Sequence, residues 1–231
     1  MPLLSPRHHV LHWPLADADA PTLALQLIDF TADSFVPTAF ADHALALPAH
    51  IERSVRKRQA EYFYGRLAAR HALAAAGLPV LDIGTGAERQ PLWPLGTIGS
   101  ITHNRHRAGA VALAAGSWHG VGIDIESPAT QDQLDSLASL AVDAAELRLL
   151  DADRARLLPL VFSAKESFYK AAYGAVGRFF DFSAVRVTAI DADRLTLVVA
   201  EALSARWCVG ATVQVHWRTL PDGDVLTAVI W

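Results

Sequence analysis

Val121-Gly-Ile-Asp-Ile-Glu126 alternates like a strand, and about 40 residues further on comes Phe162-Ser-Ala-Lys-Glu-Ser-Phe-Tyr-Lys170. Residues two apart in a strand point the same way. Asp124 and Glu126 therefore share one face. Glu166, in the second stretch, is a third carboxylate able to close a small oxygen cage with them. Such a cage suits Mg²⁺, which favours carboxylates, waters and substrate phosphates. A phosphate-handling enzyme is the leading reading.

Each of these residues also has a plainer use. Asp124 and Glu126 could mark the end of a strand entering the turn at Pro128. Ser163-Ala-Lys-Glu166 fits a capping box, in which Ser163 caps a helix beginning at Ala164 and Glu166 reaches back to the cap amide. Glu166 and Lys170 also have the spacing of an i,i+4 pair. A carboxylate turned back to cap its helix is less able to bind metal, so the two uses compete. Lys165 and Lys170 are candidate phosphate contacts, with a surface position as the alternative. A phosphate ester beside these carboxylates would need Mg²⁺ and lysine to offset the repulsion.

Outward from this core, residues 49–76 approximate a helical period, with Gly77 and Pro79 as a stop. Arg58, Arg66 and Arg70 could share a face of that helix, as a solvated charge run or as anion contacts. Residues 78–99 are rich in turns. In Ile98-Gly-Ser-Ile-Thr-His-Asn104, Ser100 and Thr102 share one strand parity, and Ile101 and His103 the other. Residues 134–158 read as helix, interrupted by Pro159. The C-terminal third alternates repeatedly, as several strands with one apolar face. Residues 1–47 are mixed, with a short strand at Val10–Trp13. Tyr62-Phe-Tyr-Gly65 and Ser167-Phe-Tyr-Lys170 hint at a duplicated α+β unit.

The chain has 231 residues, is 52% hydrophobic and 19% charged, and has a formal charge of −4. That is enough chain for one large domain or two smaller ones, and nothing global points to nucleic acid. Residues 48–107 nevertheless hold nine Arg or Lys against four Asp or Glu, a local anion-binding balance. The single cysteine, Cys208, excludes an intrachain disulfide and a thiolate zinc site. Beside Trp207 and Val209 it reads as a buried structural cysteine in a strand. The N-terminus, with Pro2, Pro6, Arg7, His8 and His9, does not resemble a signal peptide. No apolar run approaches the length of a membrane helix. Walker, Rossmann and Gly-x-Ser-x-Gly patterns are absent.

Several separated motifs agree with one family. Arg53-Ser-Val-Arg-Lys-Arg58, Glu61-Tyr-Phe-Tyr-Gly-Arg66, Trp93-Pro-Leu-Gly96, Gly99-Ser-Ile-Thr-His103, Gly122-Ile-Asp-Ile-Glu126 and Phe162–Lys170 together resemble the 4′-phosphopantetheinyl transferases. Within them the match is to the surfactin-type group and its enterobactin-synthase-like subgroup. The resemblance implies an α+β monomer of two similar halves, each a mixed or antiparallel sheet packed on a long helix. The first half, 1–120, would carry the basic coenzyme A segments. The second, 121–231, would carry the metal-site acids and the catalytic helix, with coenzyme A and Mg²⁺ (Mn²⁺ as a substitute) in the cleft between them. Asp124, Glu126 and Glu166 would hold the metal. Glu166 would be the base for the carrier serine, directly or through water, since a carboxylate beside Mg²⁺ normally has a depressed pKa. Lys170 would stabilise the pyrophosphate. Arg58, Arg66, Ser100 and His103 would contact coenzyme A, Arg58 and His103 at its 3′-phosphate, with Arg53 and Lys57 as weaker contacts; Lys165 and Lys170 would meet its other phosphates, the division between the two lysines left open.

The implied reaction moves 4′-phosphopantetheine from coenzyme A to a serine of an apo acyl or peptidyl carrier protein, with 3′,5′-ADP leaving. The family implies a cytoplasmic protein serving nonribosomal peptide, polyketide or siderophore biosynthesis, without nucleic acid or stable membrane insertion. The alternatives are a Mg²⁺-dependent phosphohydrolase and a non-catalytic coenzyme A- or carrier-binding module.

Overall fold

The mixed N-terminal segment turns out to build half of a sheet. The computed structural model describes residues 5–15 and 20–231, so Pro2 lies outside the described residues. Packing divides the chain into two units, residues 1–119 and 120–231. The fold is α+β and pseudo-duplicated: each unit lays one long helix on an antiparallel sheet.

In the first unit, β1 (Arg7–Pro14) pairs with β2 (Thr22–Asp29). Two short helices follow, α1 (Ala39–Asp42) and α2 (Ala49–Glu52), and then the long α3 (Arg56–Ala75). The helical period read over 49–76 is thus broken at 53–55. A small ribbon, β3 (Gly84–Thr85) and β4 (Pro91–Leu92), leads to β5 (Thr97–His103) and β6 (Arg107–Ala114). The sheet order is β1-β2-β6-β5. Small side chains on β6 (Ala108, Ala110 and Ala112) let α3 lie close. Phe35, Phe40, Phe63 and Tyr64 fill the rest of that core. Ser100 and Thr102 are buried, while Ile101 and His103 on the other parity are partly exposed.

The second unit opens with β7 (Val121–Glu126). Then come α4 (Gln131–Ala141), α5 (Ala144–Leu150) and α6 (Arg154–Val176). The strands β8 (Val185–Ile190), β9 (Arg194–Val199), β10 (Thr212–Thr219) and β11 (Val225–Ile230) complete a sheet in the order β7-β11-β10-β9-β8. The helix begins ten residues before the expected Ala164 start and runs through Pro159. Proline removes one helical hydrogen bond, but Leu158, Leu160 and Val161 are anchored in the core on either side. The helix stops at Gly177, whose φ of 69° is left-handed and whose N–H reaches Tyr173 O at 2.8 Å. Ser163 is therefore no cap. It lies in mid-helix, fully buried, with its hydroxyl 2.9 Å from that of Thr227 on β11.

Cys208 is exposed in the connection between β9 and β10, and its neighbour Trp207 is the buried residue. The strand begins only at Thr212, so the alternation beginning at Val209 belongs partly to a turn. Among the described residues no helix is long and apolar enough to cross a membrane.

Helix and sheet approach closely at Gly122. A Cβ there would overlap the Ser167 carbonyl oxygen and lie 2.6 Å from Ala171 N. Gly174 is the opposite case, with nothing within 4 Å of an added methyl. Gly122→Ala should therefore push α6 off β7 and cost about 2 kcal/mol or more. Gly174→Ala should gain about 0.5–1 kcal/mol by favouring the helix. Urea unfolding midpoints of the two variants check this; equal shifts of one sign would refute the close approach.

Candidate active site

Gly122, Asp124 and Glu126 share one parity of β7, and α6 packs against that face at Gly122. Because glycine admits the helix, the helix side chains come within reach of the strand acids. Lys170 Nζ donates to Asp124 Oδ1 at 2.5 Å and to the Ile123 carbonyl at 3.2 Å. Asp124 is 4% exposed, and a buried carboxylate needs such a partner.

A hydroxyl cluster fixes the helix at the same level. Thr227 stands opposite Asp124 in the β11–β7 register. Its Oγ1 lies 2.6 Å from Ser167 Oγ and donates to the Ser163 carbonyl at 2.9 Å. Ser163 and Ser167 are one turn apart in α6, so both hydroxyls can meet one strand residue. Nothing in the sequence flags Thr227 beyond its place in an alternating run.

The electrostatics show a surplus of negative charge. Burial, Asp124, Glu166 and Asp224 push the Glu126 pKa up to about 8, against the pull of Lys170. Burial also raises Glu166, again opposed by Lys170 and assisted by Asp124. Burial works against the Lys170 charge, but Asp124, Glu166 and Glu126 overcome it and raise its pKa. Lys170 thus stays an ammonium, bonded to Asp124 and in the field of Glu166 and Glu126. Oxygen donors with uncompensated charge fit a hard divalent cation. Asp224, 1% exposed and immediately before β11, is a contributor that sequence reading passed over. Its signal was only a Pro-Asp-Gly-Asp turn at 221–224.

Lys165 is corrected. The expected phosphate contact is 2% exposed and bonded to Glu146 Oε1 at 2.8 Å. Its ammonium also donates to the carbonyls of Ala141 and Phe182 at 2.7 and 3.3 Å. With three donors and three acceptors, it has none left for a ligand. Lys165 and Glu166, one residue on, both border a groove with Tyr169, Phe179, Phe180 and Phe182, about 380 Å³ counting its open mouth.

The basic residues of the first unit do not form one free face. Arg58 lies 3.2 Å from His103 Nε2 and 3.5 Å from Glu61. Arg66 donates to Thr85 Oγ1 at 2.9 Å and to the Gly84 carbonyl, and it stacks over Tyr62 at 4.6 Å. Arg70 ties the carbonyls of His43 and Ala44 to Asp82. Lys57 is 3.9 Å from Glu61, and Arg53 Nε bonds back to the Ala49 carbonyl. Ser100 is on the buried parity of β5, opposite His103. The structure therefore brings Arg58 and His103 together, and Arg58 is near enough to Arg66 for the two guanidinium charges to repel.

Residues 47–113 match the family model of the 4′-phosphopantetheinyl transferase N-terminal domain, and residues 120–229 that of the 4′-phosphopantetheinyl transferase superfamily. The chain is 37% identical over 227 residues to enterobactin synthase component D of Salmonella typhimurium, covering 94% of this chain and 89% of that protein. It is 38% identical over 141 residues to the 4′-phosphopantetheinyl transferase Npt of Nocardia iowensis, covering 60% and 62%. It is 35% identical over 145 residues to PptT of Mycobacterium tuberculosis, covering 60% and 61%.

The Glu126 shift has a stability consequence. Between its ordinary 4.5 and about 8, the folded chain keeps a proton that the unfolded chain loses. That contribution is full below 4.5 and is lost as pH rises to about 8. In chelator, the thermal midpoint should fall across this window, and Glu126→Gln should flatten the fall. Excess Mg²⁺ should raise the midpoint more at about pH 8 than at about pH 6, because metal and proton compete. Differential scanning calorimetry at both pH values tests both statements; a Glu126→Gln profile parallel to the parent would refute the first.

Proposed function

Since the chain belongs to the 4′-phosphopantetheinyl transferase superfamily, we propose that it moves 4′-phosphopantetheine from coenzyme A to a serine of an apo acyl or peptidyl carrier protein, with Mg²⁺ and with 3′,5′-ADP as the second product. The observation that carries this reading is the charged Lys170 set among Asp124, Glu126 and Glu166. A lysine among surplus carboxylates suits a diphosphate only when a divalent cation joins it. Asp124, Glu126 and Glu166 would hold that ion, which when bound draws charge from the pyrophosphate and orients it.

The chain's own residues then divide the work. Glu166 is one α6 turn before Lys170 and borders the open groove. It would accept the serine proton directly or through a water, because a cation bound beside it would lower the carboxyl pKa that burial raises in the metal-free chain. The serine oxygen attacks the β-phosphorus, the bond from phosphorus to the bridging oxygen breaks, and the electron pair leaves on 3′,5′-ADP. Lys170, held charged, balances the growing negative charge on the departing phosphate. In the first unit, Arg58 and His103 form the paired contact for the coenzyme A 3′-phosphate. Arg66, Ser100, Arg53 and Lys57 have secondary parts in coenzyme A binding.

The similarity to enterobactin synthase component D supports carriers of siderophore assembly as the first substrates to try. The lone cysteine fits a reducing cytoplasmic setting. A monomer is part of the same reading.

Intact-mass analysis of an apo carrier mixed with protein, coenzyme A and Mg²⁺ should show the gain of one phosphopantetheinyl group and none in chelator. Release of inorganic phosphate with the carrier mass unchanged would sink the reading. Asp124→Ala should cut transfer ~100-fold or more with the fold retained. Arg58→Ala should raise the coenzyme A Kd about tenfold while kcat at saturating coenzyme A changes little; an unchanged Kd in calorimetry would remove Arg58 from that contact.

A further inference from the structure

Two lysines sit in one helix, and the reaction uses only one of them. Lys165 is at the crossing point of four other segments. Its ammonium holds the last carbonyl of α4, at Ala141, and the carbonyl of Phe182 in the turn before β8. Its ionic partner Glu146 spends both oxygens on backbone as well. Oε2 accepts from Asp143 N at 2.9 Å, closing the N-terminal cap of α5. Oε1 accepts from Val187 N on β8 at 2.7 Å while also meeting Lys165 at 2.8 Å. The two side chains are 1% and 3% exposed.

A pair this deep is a poor source of net stability, because desolvating two ions offsets most of their attraction. Apolar side chains of similar volume would hold the same layers together. What an ion pair with fixed hydrogen bonds adds is orientation. Successive helical residues are about 100° apart around the axis, so anchoring Lys165 inward sets the direction of Glu166. The same ammonium fixes the Phe182 backbone, whose ring packs on Phe162 at 5.2 Å and lines the groove beside Glu166.

We infer that the buried Lys165–Glu146 pair is a positioning device for the transfer reaction: it fixes the rotation of α6 and the Phe182 wall, so that Glu166 meets the carrier serine in reactive alignment. This rests on the functional reading above and assigns Lys165 no contact with coenzyme A. It makes Glu146, which lies in the stretch 134–158 read from sequence only as helix, a specific requirement of the reaction.

The test replaces the pair by an apolar one, Lys165→Met with Glu146→Leu, in the full chain. The double variant avoids leaving one buried charge alone. Circular dichroism and a thermal midpoint within a few degrees of the parent identify folded protein, and rates are normalised to it. The expected result is a kcat lowered ~10-fold or more, with the KM and the calorimetric Kd for coenzyme A within about twofold of the parent. An unchanged kcat in the folded variant overturns the inference and leaves the pair a purely structural one. A coenzyme A Kd raised about tenfold with kcat retained overturns it in favour of a phosphate contact. Should the double variant fail to fold, Lys165→Arg and Glu146→Gln are read by the same split of kcat from KM, with the same overturning results. Transfer by the parent protein is measured first: its absence overturns the functional reading and this inference with it, whereas parent transfer with an unimpaired variant overturns the inference alone.

Discussion

The contact between Gly122 and the backbone of α6 is the constraint on which the acidic site depends. Only a residue without Cβ leaves room for the Ser167 carbonyl and the Ala171 amide against β7. At that separation Lys170 reaches Asp124, and Ser163 and Ser167 reach Thr227. The hydroxyls satisfy one another in the interior, so the helix has a fixed level along the sheet as well as a fixed distance from it. The charged residues do not create this geometry. They occupy a space that glycine and three hydroxyls define.

The two units apply one packing rule, small residues where helix meets sheet. In the first unit both partners supply them: alanines on β6, and Gly65 of α3, which faces Ile101 of β5 with 3.0 Å between an added Cβ and the isoleucine methyl. In the second unit, the strand supplies one at Gly122. Close helix–sheet packing is the shared architecture, and the polar residues laid over it differ. The first unit pairs arginine with histidine; the second crowds carboxylates round a lysine. Pseudo-duplication therefore fixes the frame and leaves the chemistry of each copy to a few side chains.

Crowding of like charge distinguishes the second unit. Glu126 and Glu166 are both harder to ionise than free glutamates, while Lys170 is harder to discharge. A metal ion and a diphosphate would redistribute these charges, which ties ligand binding to proton release. By contrast, the Lys165–Glu146 pair is closed. Its donors and acceptors are matched among themselves and the backbone. One site is poised to bind and the other to hold still, although their lysines stand only five residues apart.

The sequence alone carried the shared face of Asp124 and Glu126 through its period, and the family through the order and separation of its motifs. The α+β plan of two similar halves came with that resemblance, beyond the hint in the repeated aromatic stretch. The sequence misplaced the start of α6, because Ser163 and Pro159 both look like boundaries when the surrounding core is invisible. It missed Thr227 and Asp224, whose importance lies in partners far along the chain, and it put Cys208 inside where Trp207 belongs. Tertiary packing alone decided between the two lysines. Lys165 and Lys170 lie about 140° apart around the helix, and which direction is interior depends on the layers that α4, β7 and β8 build around α6, a relation that no local pattern encodes.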